Sequence, residues 1–363
     1  MWGPEGSGPH IAHMIRKERE PVPWGYIAKR LATGVVQLLG VTLAVFFLIR
    51  LLPADPVARL VGFNASDVVY DQARASLGLD QPVLRQLGLF LGFFPSDQSG
   101  LLQGDLGKSW VTNESIISEI LHFFPITLEL ITISFMVAIL IAIPIGMISA
   151  FRPNGRVNRV TFVYGLFAGA QPEFWWGLVF IYVFFFRLGW APAPLGRLRP
   201  LTDAPDSVTG FLTIDSLLAG RLDVFFESLY HLWLPVMTLV LILSGPIIKM
   251  IRQNMLRVLE SDFILYARAS GLPSRTIATY TFRSAFAPTL TLLGILYGFM
   301  LGGAVLVEQV FSIGGLGQYS VRSILQFDYP AIQGVVLVIT AFSLLVYLAL
   351  DVIHAVLDPR VRR

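Results

Sequence analysis

The chain has 363 residues, 55% of them hydrophobic and only 14% charged, with a net charge of +3. Soluble domains carry about a quarter of their residues as charges, so an exterior facing hydrocarbon is the economical reading. Cysteine is absent, which excludes disulfides, thiolate metal sites and cysteine nucleophiles; the five histidines form no ligand pair at helical spacing, and no basic stripe interleaved with aromatics suggests nucleic acid.

Residues 1–25, rich in Gly and Pro, read as an N-terminal tail. The first unit, 26–52, holds an apolar run at 31–49 preceded by Arg16, Lys17, Arg19, Lys29 and Arg30. That run is too long for a signal peptide, and Leu52-Pro53-Ala54-Asp55 offers no small-x-small cleavage site, so it is expected to be an uncleaved anchor. Residues 53–122 form a long loop with short helical patterns such as 69–77.

The remainder, 123–363, contains five more apolar runs, at 123–151, 160–186, 232–248, 285–307 and 329–350. A helix needs about 20 apolar residues to cross a bilayer, so the chain is predicted to be all-α with six membrane spans, the fourth being the shortest. Pro144, Pro172 and Pro235 are expected to kink their spans, because neighbouring helices can satisfy the freed carbonyls. Gly294, Gly298, Gly302 and Gly303 give the fifth span a small-residue face suited to close helix packing.

Lys and Arg divide unevenly between the two sides of this topology. Seventeen lie in the tail, the loop 152–159, the segment 249–283 and the C-terminus, against nine in the alternate loops. By the positive-inside rule both termini are cytoplasmic, and loops 53–122 and 187–230 face outward. No internal repeat is visible, which speaks against an inverted-repeat carrier.

The cytoplasmic segment 261–272 is too ordered for a plain loop. Ser261 can cap a helix, Asp262 suits its dipole, and Gly271 stands where a left-handed residue would end it, followed by Leu272 and Pro273. The expected product is a helix of about nine residues lying along the membrane surface.

Tyr266-Ala267-Arg268-Ala269-Ser270-Gly271, followed by the exit Ser284-Ala285-Phe286-Ala287-Pro288, resembles the coupling-helix motif of ABC importer permeases. Further segments resemble the dipeptide, oligopeptide and nickel branch of that family. They are Leu51-Leu52-Pro53-Ala54-Asp55-Pro56, Leu77-Gly78-Leu79-Asp80-Gln81-Pro82, Gly104-Asp105-Leu106-Gly107-Lys108-Ser109, Thr127-Leu128-Glu129-Leu130, Gln171-Pro172-Glu173-Phe174-Trp175, Val310-Phe311-Ser312-Ile313-Gly314-Gly315-Leu316-Gly317 and Asp358-Pro359-Arg360-Val361-Arg362. The likeness runs from about residue 26 to the end. It implies a bacterial inner-membrane permease that forms a path with a second, homologous permease chain. Two cytoplasmic ABC ATPases and an extracytoplasmic substrate-binding protein complete the implied machine. Its ATPase contact would run through Tyr266, Ala267, Arg268, Ala269 and Gly271, with Tyr266 departing from the acidic or small polar residue common there. Relatives of this kind import dipeptides, longer peptides, nickel chelates or opines.

Other features are weighed beside this reading. Gly107-Lys108-Ser109 imitates a phosphate loop, but position 102 is Leu102 where the motif needs Gly, so no ATP site is expected in this chain. Charges inside membranes are costly, which makes Glu129 and Glu173 candidates either for pairing inside the protein or for lining the translocation path. Glu308, Asp351 and His354 lie at span ends, and Gly314, Gly315 and Gly317 allow a tight turn after the fifth span. The alternative function is an ion-gradient-driven secondary transporter or channel. No catalytic constellation or cofactor site is present, so an enzyme is not expected.

Overall fold

The computed structural model describes residues 24–51, 55–62, 64–94, 99–168 and 170–357. Most of the predicted tail, and the segment 358–362 quoted above, lie outside the described residues. Among those described, regular structure is helical throughout, apart from one isolated bridge pairing Lys108 with Ser115.

Helix α1 (Trp24–Leu51) is the first span. Three short helices follow in the long loop: α2 (Pro56–Val61), α3 (Asp67–Ser76) and α4 (Val83–Leu91). Asp55 caps α2 by accepting from the amides of Val57 and Ala58 at 2.9 and 3.0 Å, with Pro56 at the first helical position, where its missing N–H costs nothing. Arg50, at the end of α1, donates to Gln86 on α4 and lies 3.5 Å from the centre of the Phe46 ring, which stacks on Phe90. The loop is thereby tied to the span it leaves.

The core is built on three long helices, α5 (Ile116–Phe151), α9 (Leu222–Leu259) and α11 (Ser274–Phe311). Leu130, Ile131, Ala138, Leu232, Ile247, Ile251, Met255 and Leu301 are buried between them. α5 and α9 approach closely at Gly146, where a Cβ would stand 3.0 Å from Ile251. Helix α13 (Tyr329–Leu357) packs on α11 through Gly294 and Gly298, which receive Leu350 and Tyr347, and carries α1 on its other side. Arg30 and Asp351 join these outer helices at 3.1 Å.

Two expectations are corrected. The fourth span is not short: α9 runs 38 residues, about 57 Å at 1.5 Å per residue. Glu227, His231, Lys249 and Arg252 interrupt its hydropathy without interrupting its helix, so an apolar run underestimates it. The same holds for α11, which begins at Ser274, before the apolar run 285–307, and passes through Pro288 unbroken.

The third span differs in kind. Among the described residues five helices are continuous, long and apolar enough to cross a membrane, and 160–186 is not among them. It is divided into α6 (Arg156–Ala168) and α7 (Glu173–Phe180), the latter passing into a wider π-turn segment, Ile181–Arg187. Pro172 drives the preceding residue out of helical geometry, and here the helix stops instead of bending.

Candidate functional site

At one end of the bundle lies α10 (Asp262–Ala269), suspended between the ends of α9 and α11. Ser261 takes the extended backbone of a cap, yet its hydroxyl donates back to the Val258 carbonyl at 2.5 Å instead of capping. Gly271 adopts φ +71, and the amides of Gly271 and Leu272 return to the carbonyls of Arg268 and Ala267, closing the helix as the sequence suggested.

The side chains divide sharply. Ile264 and Ala267 are buried against their own subunit, whereas Tyr266 is 76% exposed and Arg268, Ala269 and Gly271 are exposed with it. Ala267 is therefore small because its own subunit closes over it, a different reason from that of the outward-facing Ala269 and Gly271. Between α10 and the start of α11 lies an open groove of about 700 Å³ lined by Asp262, Phe263, Tyr266, Ala267, Ser270, Leu272, Tyr280, Arg283 and Ser284.

The opposite end is held by buried polar groups. Glu129 on α5 is fully buried: one carboxylate oxygen accepts from Arg197 at 2.7 Å, the other from the backbone amide and hydroxyl of Thr213, each at 2.7 Å. Thr213 belongs to the small helix α8 (Leu212–Leu218), so one carboxylate fastens the whole segment 191–218 onto the bundle. Asp215 on α8 accepts from the amide and hydroxyl of Thr209 and from the Gly210 amide. Burial works to raise its pKa, but these donors outweigh it and hold the carboxyl below the usual aspartate range.

A second knot fastens the chain after α11. Glu308 is fully buried, taking the Thr127 hydroxyl at 2.5 Å and the Gln318 amide at 3.1 Å, while Thr127 accepts from the Leu316 amide at 2.8 Å. A Cβ at Gly315 would stand 2.6 Å from both Glu308 Oε2 and Thr127 Oγ1, which is why glycine occupies the turn into α12 (Leu316–Leu325). A third knot joins Ser109 to buried Asp328 at 2.5 Å, with the Trp110 amide on the same carboxylate. The segment that imitates a phosphate loop thus spends its serine inside the protein. Beside these knots opens a cleft of about 940 Å³ that holds two ion pairs, Arg199 with Glu227 at 3.0 Å and Arg221 with Asp223 at 2.9 Å.

Glu173 contrasts with all of these. It opens α7, just after the break in the third span, with its Oε1 3.2 Å from where a Cβ on Gly303 would lie. No donor among the described residues reaches it.

Of the sequence-predicted residues, those at 266–271 are brought together, while Glu129 and Glu173 are separate sites with different surroundings. Sequence reasoning did not identify Thr127, Arg197, Thr213, Ser109 and Asp328 as partners. Two of them, Thr127 and Ser109, sit inside quoted family segments, and that was the available signal.

Comparison with known proteins adds to this geometry. A family model described as "Binding-protein-dependent transport system inner membrane component" matches residues 142–363, and the model for that family's N-terminal region matches 24–131. The chain is 38% identical over 341 residues to the probable D,D-dipeptide transport system permease protein DdpB of Escherichia coli strain K12, covering 94% of this chain and 98% of that protein. It is 36% identical to the di/tripeptide transport system permease protein DppB of Pseudomonas aeruginosa, with 93% and 98% covered. It is 32% identical to the dipeptide transport system permease protein DppB of E. coli K12, again with 93% and 98% covered.

Proposed function

The chain belongs to the family of binding-protein-dependent transport system inner membrane components, and on that premise we propose that it is the permease through which short peptides enter the cell. It is a multi-pass membrane protein and a transport component, working with a substrate-binding protein and ATPase partners. In the proposed machine a second, related permease completes the path and two ATPases bind from the cytoplasm. The printed names of the similar proteins support peptides as the substrate class.

The observation that carries this reading is α10. A helix of eight residues, anchored inward by Ile264 and Ala267, turns Tyr266, Arg268, Ala269 and Gly271 outward beside an open groove. No described residue covers that surface, and a subunit that must receive force from an ATPase needs one like it. Both termini and α10 share the cytoplasmic side, supported by the seventeen-to-nine division of Lys and Arg. In this reading ATP is bound by the partner subunits. Ser109, the residue that would hold a nucleotide-bound metal in a phosphate loop, is engaged with Asp328.

The test is purification of the tagged chain in mild detergent with mass spectrometry of whatever remains bound. Recovery of a second permease with one or two ATPases is expected. A chain that emerges alone, and moves solute across vesicles without ATP, would replace this reading with an ion-driven carrier.

A further inference from the structure

The third span is the one membrane segment among the described residues that is cut in two, between Ala168 and Glu173. Interrupted backbone at membrane depth persists where protein buries it or where it lines a polar cavity, because hydrocarbon satisfies no amide. In membrane carriers such interruptions present polar groups to what passes. The break therefore raises the question of what the residues beside it face.

Three carboxylates that sequence reasoning set inside or at the ends of spans now separate by their partners. Glu129 and Glu308 are fully buried, and every oxygen accepts at least one hydrogen bond. Glu173 is only partly buried and accepts from no described group. One turn on, the Trp176 indole Nε1 is buried with no acceptor. A partly exposed carboxylate with no described donor and a buried indole N–H with no acceptor thus occupy positions i and i+3 of one helix, which share a face. Structures seldom leave a buried donor such as that indole unmatched.

The space beside Glu173 is also unusual. Its carboxylate lies over Gly303, and at Gly302 a Cβ would meet nothing within 4 Å. Gly302 lies on a stripe of α11 with Phe299 and Leu306, which are 67% and 47% exposed, so this chain does not cover that face. Small residues and an uncovered face leave a gap in front of an unpaired carboxylate, with the Trp175 and Trp176 rings on the same helix.

We propose that Glu173, at the break in the third span and facing the Gly302–Gly303 gap, is the anionic contact for the terminal ammonium of the peptide in transit. A carboxylate held away from bulk water attracts a primary ammonium strongly and neutral groups weakly, and indole faces favour the same cation. Glu129, its charge already spent on Arg197, takes no part in this. The assignment of a peptide rests on the importer reading above; the assignment of an accessible anionic site does not.

The absence of cysteine allows a direct test. Gly302→Cys adds a Cβ where space is free and places a unique thiol in this chain one residue from Gly303, whose Cβ position is 3.2 Å from Glu173 Oε1. In membranes holding the assembled transporter, its rates of reaction with a cationic aminoethyl and an anionic sulfonatoethyl methanethiosulfonate are compared. Relative to a free thiol, a bias of about ten-fold toward the cationic reagent is expected, disappearing in the Glu173→Gln background. A thiol that neither reagent reaches, or a bias that survives Glu173→Gln, would overturn the site.

The second arm measures uptake of a labelled dipeptide by the complete transporter in proteoliposomes, per unit of assembled complex. Glu173→Gln should lower it about ten-fold, the value of one charge-assisted hydrogen bond, while Glu173→Asp keeps most of it. If the unsubstituted transporter imports no peptide although the cationic bias is present, the peptide reading falls and the anionic site stands. If peptide enters and Glu173→Gln enters equally well, the ammonium contact falls and the importer reading stands.

Discussion

The two ends of the bundle are held together by opposite means. At the end carrying α8 and α12, loops are fastened by buried carboxylates that each gather donors from distant chain: Glu129 from Arg197 and Thr213, Glu308 from Thr127 and Gln318, Asp328 from Ser109 and Trp110. At the end carrying α10, few buried polar links cross between elements, Asn254 with Thr289 at 3.2 Å being one, and Phe263, Leu265 and Tyr266 are left in the open. A satisfied buried network fixes one arrangement and tolerates little change. An uncovered aromatic surface is unfinished until a partner covers it. The first end is built to keep its shape within the subunit, and the second, in the coupling role proposed for it, would gain its contacts from outside.

This contrast can be broken from either side. The largest effect on function is expected at the open end, with Gly271→Trp. Its positive φ costs a side chain about 1 kcal/mol, and space around it is free, so the thermal midpoint in detergent should fall little. Transport in vesicles should nevertheless be abolished, because the indole would hold α10 away from its partner; normal uptake would remove α10 from the coupling role.

The largest effect on stability belongs to the closed end. Glu129→Ala strands Arg197 and the Thr213 amide, and removing one member of a buried pair costs about 3 kcal/mol. Unfolding in detergent should show it, and Arg197→Ala added to Glu129→Ala should cost less than the two separate losses combined. Gly315→Val should follow at about 2 kcal/mol, since its Cβ enters the space of Glu308 and Thr127. Limited proteolysis in the segment between α11 and α12 would report the loosening.

The smallest effect is a pH dependence of the same end. Asp215 titrates below its unfolded value, so its stabilisation is complete above that value and is lost as the pH falls through it toward the depressed folded value. Acid unfolding should therefore begin below about pH 4, and Asp215→Asn should flatten that limb by about 1 kcal/mol or less. An unchanged acid limb would mean that the Thr209 and Gly210 donors contribute nothing in solution.

Sequence disclosed the two ends unequally. α10 was legible almost to the residue, because a short helix with a left-handed glycine stop is written in consecutive positions and needs no distant partner. Five of the six expected hydrophobic crossings were legible for a similar reason. The length of α9 was not, since hydropathy measures what touches lipid while the helix continues wherever its backbone bonds are satisfied. Pro172 was read as a kink, and a proline by itself does not distinguish bending from stopping. The knots of the closed end were beyond reach: Thr127 and Glu308 are 181 positions apart, and Glu129 finds its donors across a loop whose path no local pattern dictates. The position and charge of Glu173 are written in the chain, whereas the absence of a described donor emerges only once its neighbours are placed.

The length of α9 and α11 has a mechanical consequence. Each is an unbroken rod of 38 residues, and α10 is hinged to the tips of both. Asn254 and Thr289 pin one rod to the other, with Pro288 beside the pin. In the coupling role proposed for it, a push on α10 would act on one arm of a lever whose other arm runs past Gly302 to the Glu308 knot. Because a stiff rod turns about its pin without stretching, a stroke at one membrane face would be delivered at the other with no chain of side-chain rearrangements needed in between.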